Sequence, residues 1–393
     1  MENRFSYILL VLMLCLGCET ETISENTAQK YIVALQKEVA PDKRVALFQI
    51  EAQQNSDTYI LKGETDQPKG LQRLLDSLTS NRISFIDSIT VLPTVELGNK
   101  THAIINISVA NLRSKPKHSA ELATQATLGT SVKVLKKEGD WYYIQTPDKY
   151  LAWVDAGGIV LFTEQEIKNW ESTDKIIYTE TYGHAYLGLA KEQIISDLVA
   201  GNLLEVLKYS NKFYRVRFPD GRKGYVDRVD SEKYGDWLAG LYSNPAVLVS
   251  TSKRFMGVPY LWGGTSTKGM DCSGFTKTIY FLNGIIIPRD ASQQVHTGKP
   301  IDYTGNFEAL EPGDLLFFGK KATDTTKEKV VHVGMWIGNN EFIHASDMVR
   351  VSSVDKASKN YDEHNVNRYL RTKRILNEQD KDLIDLRQVS TFK

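Results

Sequence analysis

The chain has 393 residues, 48 Lys+Arg against 48 Asp+Glu, and 41% hydrophobic residues. That length allows several domains, each able to bury a core, and the ordinary composition excludes collagen-like and disordered chains. A net charge of zero excludes a general basic surface for nucleic acid. Of three cysteines, Cys15 and Cys18 fall near the start, so Cys272 is the single thiol of the remainder and no internal disulfide is possible there.

Arg4 precedes an apolar run from Tyr7 to Leu16, too short for a bilayer span and suited to a secretory signal. With Gly17-Cys18 behind it, segment 1–18 resembles a bacterial lipoprotein signal, although Cys15 stands where Leu is usual. The resemblance implies cleavage before Cys18, lipidation of that residue and a polar tether over 19–26. A simple cleaved signal is the alternative. Either way the protein is expected in the cell envelope, as a periplasmic or outer-membrane lipoprotein if lipidated.

Residues 27–98 read as a small α+β domain. A helix runs from Ala28 to Ala40 and stops at Pro41; strands follow over Arg44–Ala52 and Asp57–Gly63. Pro68 opens a helix carrying Leu71, Leu74, Leu75 and Leu78, and Ile83–Leu92 returns as strand. Nothing in this domain offers catalytic chemistry, and packing or spacing is its expected role.

An internal repeat follows at a spacing of 72 residues. Val134-Leu135-Lys136 recurs as Val206-Leu207-Lys208, Trp141-Tyr142 as Phe213-Tyr214, and Trp153-Val154 as Tyr225-Val226. Short alternating strands broken by Gly, Asp and Asn predict two small β-barrels. Both copies resemble bacterial SH3 modules, over 103–162 and 174–230, and only the first has the opening Asn111-Leu112-Arg113. Their aromatic residues are expected mainly in the cores.

The chemistry-bearing residues lie in 251–375, followed by a charged tail, 376–393, read as a final helix or disorder. Tyr260-Leu261-Trp262-Gly263-Gly264 leads to Asp271-Cys272-Ser273-Gly274-Phe275, after which Phe275, Ile279 and Leu282 recur at helical spacing. Asp271 is a natural N-cap, putting Cys272 in the first turn, where the helix dipole favours a thiolate. Val330–Ile337 alternates as a strand with His332, Gly334 and Trp336 on one face. A three-residue loop, Gly338–Asn340, sets His344 opposite Gly334 and both imidazoles on that face. A cysteine on a helix N-terminus facing two histidines suits a nucleophile, a base (His332) and an orienting partner (His344).

These strings, with His332-Val333-Gly334 and Phe342-Ile343-His344-Ala345, resemble the NlpC/P60 family of cell-wall cysteine peptidases. With two SH3-like modules in front, the whole chain is similar to its γ-D-glutamyl-L-diamino acid endopeptidases. The resemblance implies a multidomain α+β protein: a papain-like catalytic domain preceded by two SH3-like β-barrels and the small N-terminal domain. It implies cleavage of peptidoglycan stem peptides between D-Glu, through its γ-carboxyl, and the diamino acid. Stems with a free N-terminal L-Ala are the expected substrates, cut through a Cys-His-His triad and a thioacyl intermediate. Trp262, Asp271, Ser273 and Ser292 match groove-lining positions, and Glu121 and Tyr150 of the first module match residues that hold the L-Ala ammonium. Tyr260 is a candidate oxyanion donor, or else an aromatic wall. No cofactor, metal or nucleic acid is expected; the membrane is met through lipidated Cys18, and a monomer is expected.

Three alternatives stay open. A thiol amidase or acyltransferase could use the same fold. A non-catalytic peptidoglycan-binding lipoprotein would rest on the modules alone. A zinc hydrolase could use Cys272, His332 and His344 as ligands.

Overall fold

The computed structural model describes residues 26–242 and 244–389. The signal segment with Cys15 and Cys18, and all of the tether except Asn26, lie outside the described residues.

In the N-terminal unit, Asn26 caps a helix over Thr27–Val39 by accepting the Gln29 N–H at 2.9 Å. A second helix, Pro68–Ser80, starts at its proline and buries Leu71, Leu74 and Leu78. Both helices contribute to one core with Phe48, Ile50 and Leu61 from a three-stranded sheet. Phe48–Asn55 pairs antiparallel with Thr58–Thr65, whose other neighbour, Phe85–Val91, is parallel because the second helix crosses over between them. The first strand begins at Phe48 rather than Arg44. Asp42 explains the shift: its carbonyl accepts the N–H groups of Val45 and Ala46, and its Oδ1 accepts that of Arg44. Arg44 is thereby held on a loop.

Two seven-stranded sheets follow, with the same strand order in both copies. The repeat is visible in the register. Val134 pairs with Ile144 and Lys136 with Tyr143; Val206 pairs with Val216 and Lys208 with Arg215. Each copy bulges at the residue between, Leu135 or Leu207. In the second barrel Gly183–Tyr186 takes the place that Val109–Arg113 holds in the first. Trp141, Tyr142, Tyr150 and Trp153 are all buried.

Helices Tyr234–Gly240 and Pro245–Lys253 lead into the last domain. Its six-stranded antiparallel sheet has Leu315–Lys320 and Lys329–Gly338 at the centre. The helix Cys272–Phe281 packs Phe275 and Ile279 into a core with Leu315, Phe317, Val333, Met335, Ile343 and Ala345. The architecture is multidomain α+β, with the helix-on-sheet arrangement of a papain-like domain. The tail departs from expectation: Ile384–Asp385 pairs with Ile285–Ile286 and Leu386 is buried. Its few apolar residues gain burial by adding a strand, which a charged helix could not provide. No helix among the described residues is long and apolar enough to cross a membrane.

Candidate active site

Asp271 caps the cysteine helix, its Oδ1 accepting the Gly274 N–H at 2.7 Å, and Cys272 is the first helical residue. The flanking glycines are close backbone contacts. A Cβ on Gly274 would sit 1.9 Å from the Gly264 carbonyl oxygen, and one on Gly263 would sit 2.1 Å from that of Leu122 in the first barrel. Cys272 packs in one buried cluster with Val333, the residue after His332, and the Val333 backbone N–H favours negative charge on its sulfur. Burial first, then the Asp271 carboxylate, pushes the thiol up to about 12. The thiolate favoured by the helix dipole is therefore not the resting state, because desolvation of the charged sulfur outweighs a dipole worth about 0.3–1 kcal/mol.

The hairpin brings the two histidines together by a different turn from the one expected. Asn339 and Asn340, both at positive φ, form a two-residue turn closed by Gly338–Glu341. A one-residue bulge at Ile337 then restores the parity that a three-residue loop would give, and Trp336 pairs with Phe342. A Cβ on Gly334 would lie 3.3 Å from the His344 Cβ. His332 Nε2 and His344 Nδ1 are 2.7 Å apart, and His344 Nε2 is 3.0 Å from Ser352 Oγ. Asp362 Oδ2 stands 3.7 Å from His344 Nε2. Burial holds His344 down to about 4, and burial together with His344 holds His332 well below its ordinary value. The direct nitrogen-to-nitrogen hydrogen bond is a geometry that two ligands of one zinc ion would not adopt, since both lone pairs would have to point at the metal.

Around this centre the remaining expected residues form three knots. Asp271 receives Arg289 on both oxygens, at 3.1 and 2.6 Å, and also the Gly263 N–H at 2.9 Å. Ser273 is buried between them, its hydroxyl donating to Asp271 and accepting from Arg289 Nη1 at 2.9 Å. Trp262, 63% exposed, donates its indole N–H to Glu121 Oε1 at 2.8 Å across the domain boundary. The Tyr150 hydroxyl donates to Asp290 Oδ2 at 3.3 Å, and Ser292 Oγ accepts from Arg44 Nη1 at 2.9 Å. The Tyr260 phenol is pushed above its ordinary range by burial, with the Asp271 carboxylate adding to the shift, so it keeps its proton. Sequence reasoning missed Ser352, Asp362 and the reach of Arg44, and gave Arg289 no role.

Comparison with known proteins finds family matches in two of these domains. A model described as the NlpC/P60 family matches residues 257–374, and one described as the bacterial SH3 domain matches 108–160. A γ-D-glutamyl-L-lysine dipeptidyl-peptidase of Bacillus cereus is 34% identical over 235 residues, covering 57% of this chain and 67% of that one. The chain belongs to the NlpC/P60 family. It is a cysteine peptidase. The probable peptidoglycan endopeptidase LytE of Bacillus subtilis is 38% identical over 120 residues, covering 29% of this chain and 31% of its own. The crystal structure of an NlpC/P60 family protein from Bacillus cereus superposes with a TM-score of 0.60 at 27% identity, over 70% of this chain and 99% of that one.

Proposed function

We propose that this NlpC/P60 enzyme is a cell-envelope peptidase that hydrolyses the γ-D-glutamyl–diamino acid bond of peptidoglycan stem peptides bearing a free N-terminal L-Ala. The observation that carries the reading is the 2.7 Å bond between His332 Nε2 and His344 Nδ1, beside a thiol that meets the strand at Val333. If His332 donates through Nε2, its Nδ1 is left as a base; the reverse tautomer would leave no base for the thiol. His344 then donates through Nε2 to Ser352, and the Asp362 carboxylate favours positive charge arising on the pair.

The resting thiol and imidazole are both neutral. As the sulfur attacks the γ-carbonyl carbon of D-Glu, its proton passes to His332 Nδ1. The carbonyl oxygen gains the negative charge, met by the Cys272 N–H at the helix start and the Tyr260 hydroxyl. His332 returns the proton to the departing amine of the diamino acid, leaving a thioester. Water then attacks with His332 as base, the C–S bond breaks, His332 returns the proton to the Cys272 sulfur, and L-Ala-D-Glu leaves with a free γ-carboxyl. Glu121 keeps Oε1 on Trp262 and turns Oε2 to the substrate ammonium, with the Tyr150 oxygen as a second acceptor. Trp262 walls the groove, while Asp271, Ser273 and Ser292 brace it from behind.

The names of the matched relatives support the bond and the substrate class. Mass spectrometry of products from L-Ala-γ-D-Glu-L-Lys, the diaminopimelate peptide and their N-acetyl forms tests the reading. Release of L-Ala-D-Glu from the free-amine peptides, lost in C272A, is the expected result. Equal cleavage of free and acetylated peptides would discard the ammonium grip, and no cleavage of either would discard the reaction.

A further inference from the structure

The N-terminal unit, which offers no chemistry of its own, places a cation beside Asp290 and Ser292 of the peptidase domain. Arg44 Nη1 donates to Asp290 Oδ2 at 2.7 Å and to Ser292 Oγ at 2.9 Å. The same Asp290 oxygen accepts the Tyr150 hydroxyl. The rest of the guanidinium is held by Asp42, which accepts from Nε at 2.8 Å and from Nη2 at 2.7 Å. Gln293 closes the circuit by donating to Asp42 at 2.8 Å. The loop backbone is fixed as well, because the Arg44 carbonyl accepts the Leu151 N–H, next to Tyr150, at 2.7 Å. One loop therefore ties three domains together around one hydroxyl.

We infer that Arg44 is a positioning residue for recognition of the substrate's free amine, acting through Asp290 on the Tyr150 hydroxyl; this rests on the ammonium grip proposed above. An ammonium has three donors and no acceptor, so a useful tyrosine must offer it a lone pair and point its own proton elsewhere. Asp290 accepts that hydrogen bond, and Arg44 keeps the Asp290 carboxylate where it can do so. Asp42 offsets the guanidinium charge, so the device orients Tyr150 without adding a net positive charge beside the incoming ammonium. Arginine suits the task because its planar fork spans both carboxylates at once, which a lysine cannot do.

The test compares full-length wild type, R44A and R44K by initial rates on L-Ala-γ-D-Glu-L-Lys and its N-acetyl form, with thermal melts of each variant. R44A should raise KM for the free-amine peptide about tenfold, the loss of roughly one charge-assisted hydrogen bond, with kcat changed little. KM for the acetylated peptide should stay where it was, and R44K should recover part of the loss. Should R44A fail to fold, R44Q, which keeps a planar donor without the charge, replaces it in the same comparison. Wild-type discrimination that survives the substitution, or equal losses on both peptides in a folded variant, would overturn the role of Arg44 alone. A wild-type enzyme that cuts both peptides equally would overturn the amine grip, and the role of Arg44 with it.

Discussion

At the scale of single residues, the centre rests in an uncharged state set by burial. Burial holds His344 down to about 4, against an ordinary value near 6.5, and holds His332 well below its ordinary value. Between pH 6.5 and 4 the unfolded chain therefore binds protons that the folded one refuses. Stability from this source is full above pH 6.5 and is lost as pH falls toward 4. Each histidine contributes a slope of up to about 1.4 kcal/mol per pH unit. Urea midpoints from pH 7.5 to 4.5 should fall less steeply for H344Q than for wild type, and equal slopes would contradict the buried neutral pair. The thiol behaves in the opposite sense. With Cys272 pushed up to about 12, its alkylation by iodoacetamide at pH 7.5 should run more than about a hundredfold slower than that of free cysteine, near 8.5. The rate should climb with pH to at least pH 9; a plateau between pH 5 and 8 would show a resting thiolate–imidazolium pair.

Elements explain which parts of this centre were legible in the sequence. The cysteine helix was, because the N-cap Asp271 and the periodic Phe275 and Ile279 are local signals. The facing of His332 and His344 was legible as parity, although the real turn is two asparagines plus a bulge. Parity survives any such exchange, whereas the turn type depends on where the chain can twist. Ser352 and Asp362 were not legible: one sits diagonally across a strand pair and the other caps a later helix, Glu363–Asn367. Arg44 carried no signal, since the partners that tie it to the peptidase domain, Asp290 and Ser292, are more than two hundred residues away. The glycines make a sharp test at this scale. G274A puts a methyl group into the Gly264 carbonyl; it should destabilise by about 1–3 kcal/mol and lower kcat by about a hundredfold through displacement of the thiol. G235A, with open space around it in the Tyr234–Gly240 helix, should instead stabilise by about 0.5–1 kcal/mol. Melting curves of the two variants should therefore shift in opposite directions.

For the whole molecule, the decisive feature is that the first barrel and the peptidase domain share buried polar contacts. Gln125 accepts from the Thr265 N–H and the Ser266 hydroxyl, and Arg289 donates to Thr124 at 3.0 Å. Lys277 and Asp148 form an ion pair at 2.6 Å with side chains only 15% and 4% exposed. A largely buried pair is costly to break on one side, because the surviving charge loses its counter-ion with little water to replace it. D148N should therefore destabilise the docked protein by about 3–5 kcal/mol and separate the melting of the barrel from that of the peptidase domain. Removing both charges, in D148N with K277M, should recover at least half of that loss, since no ion is then left desolvated. The same barrel carries Tyr150, so loosening it should also erode the preference proposed above for free-amine stems. D148N should show both effects and the double variant neither in full. Calorimetry with the paired peptide assay would check this, and a double variant no more stable than D148N would mean that the ion pair does not hold the domains together.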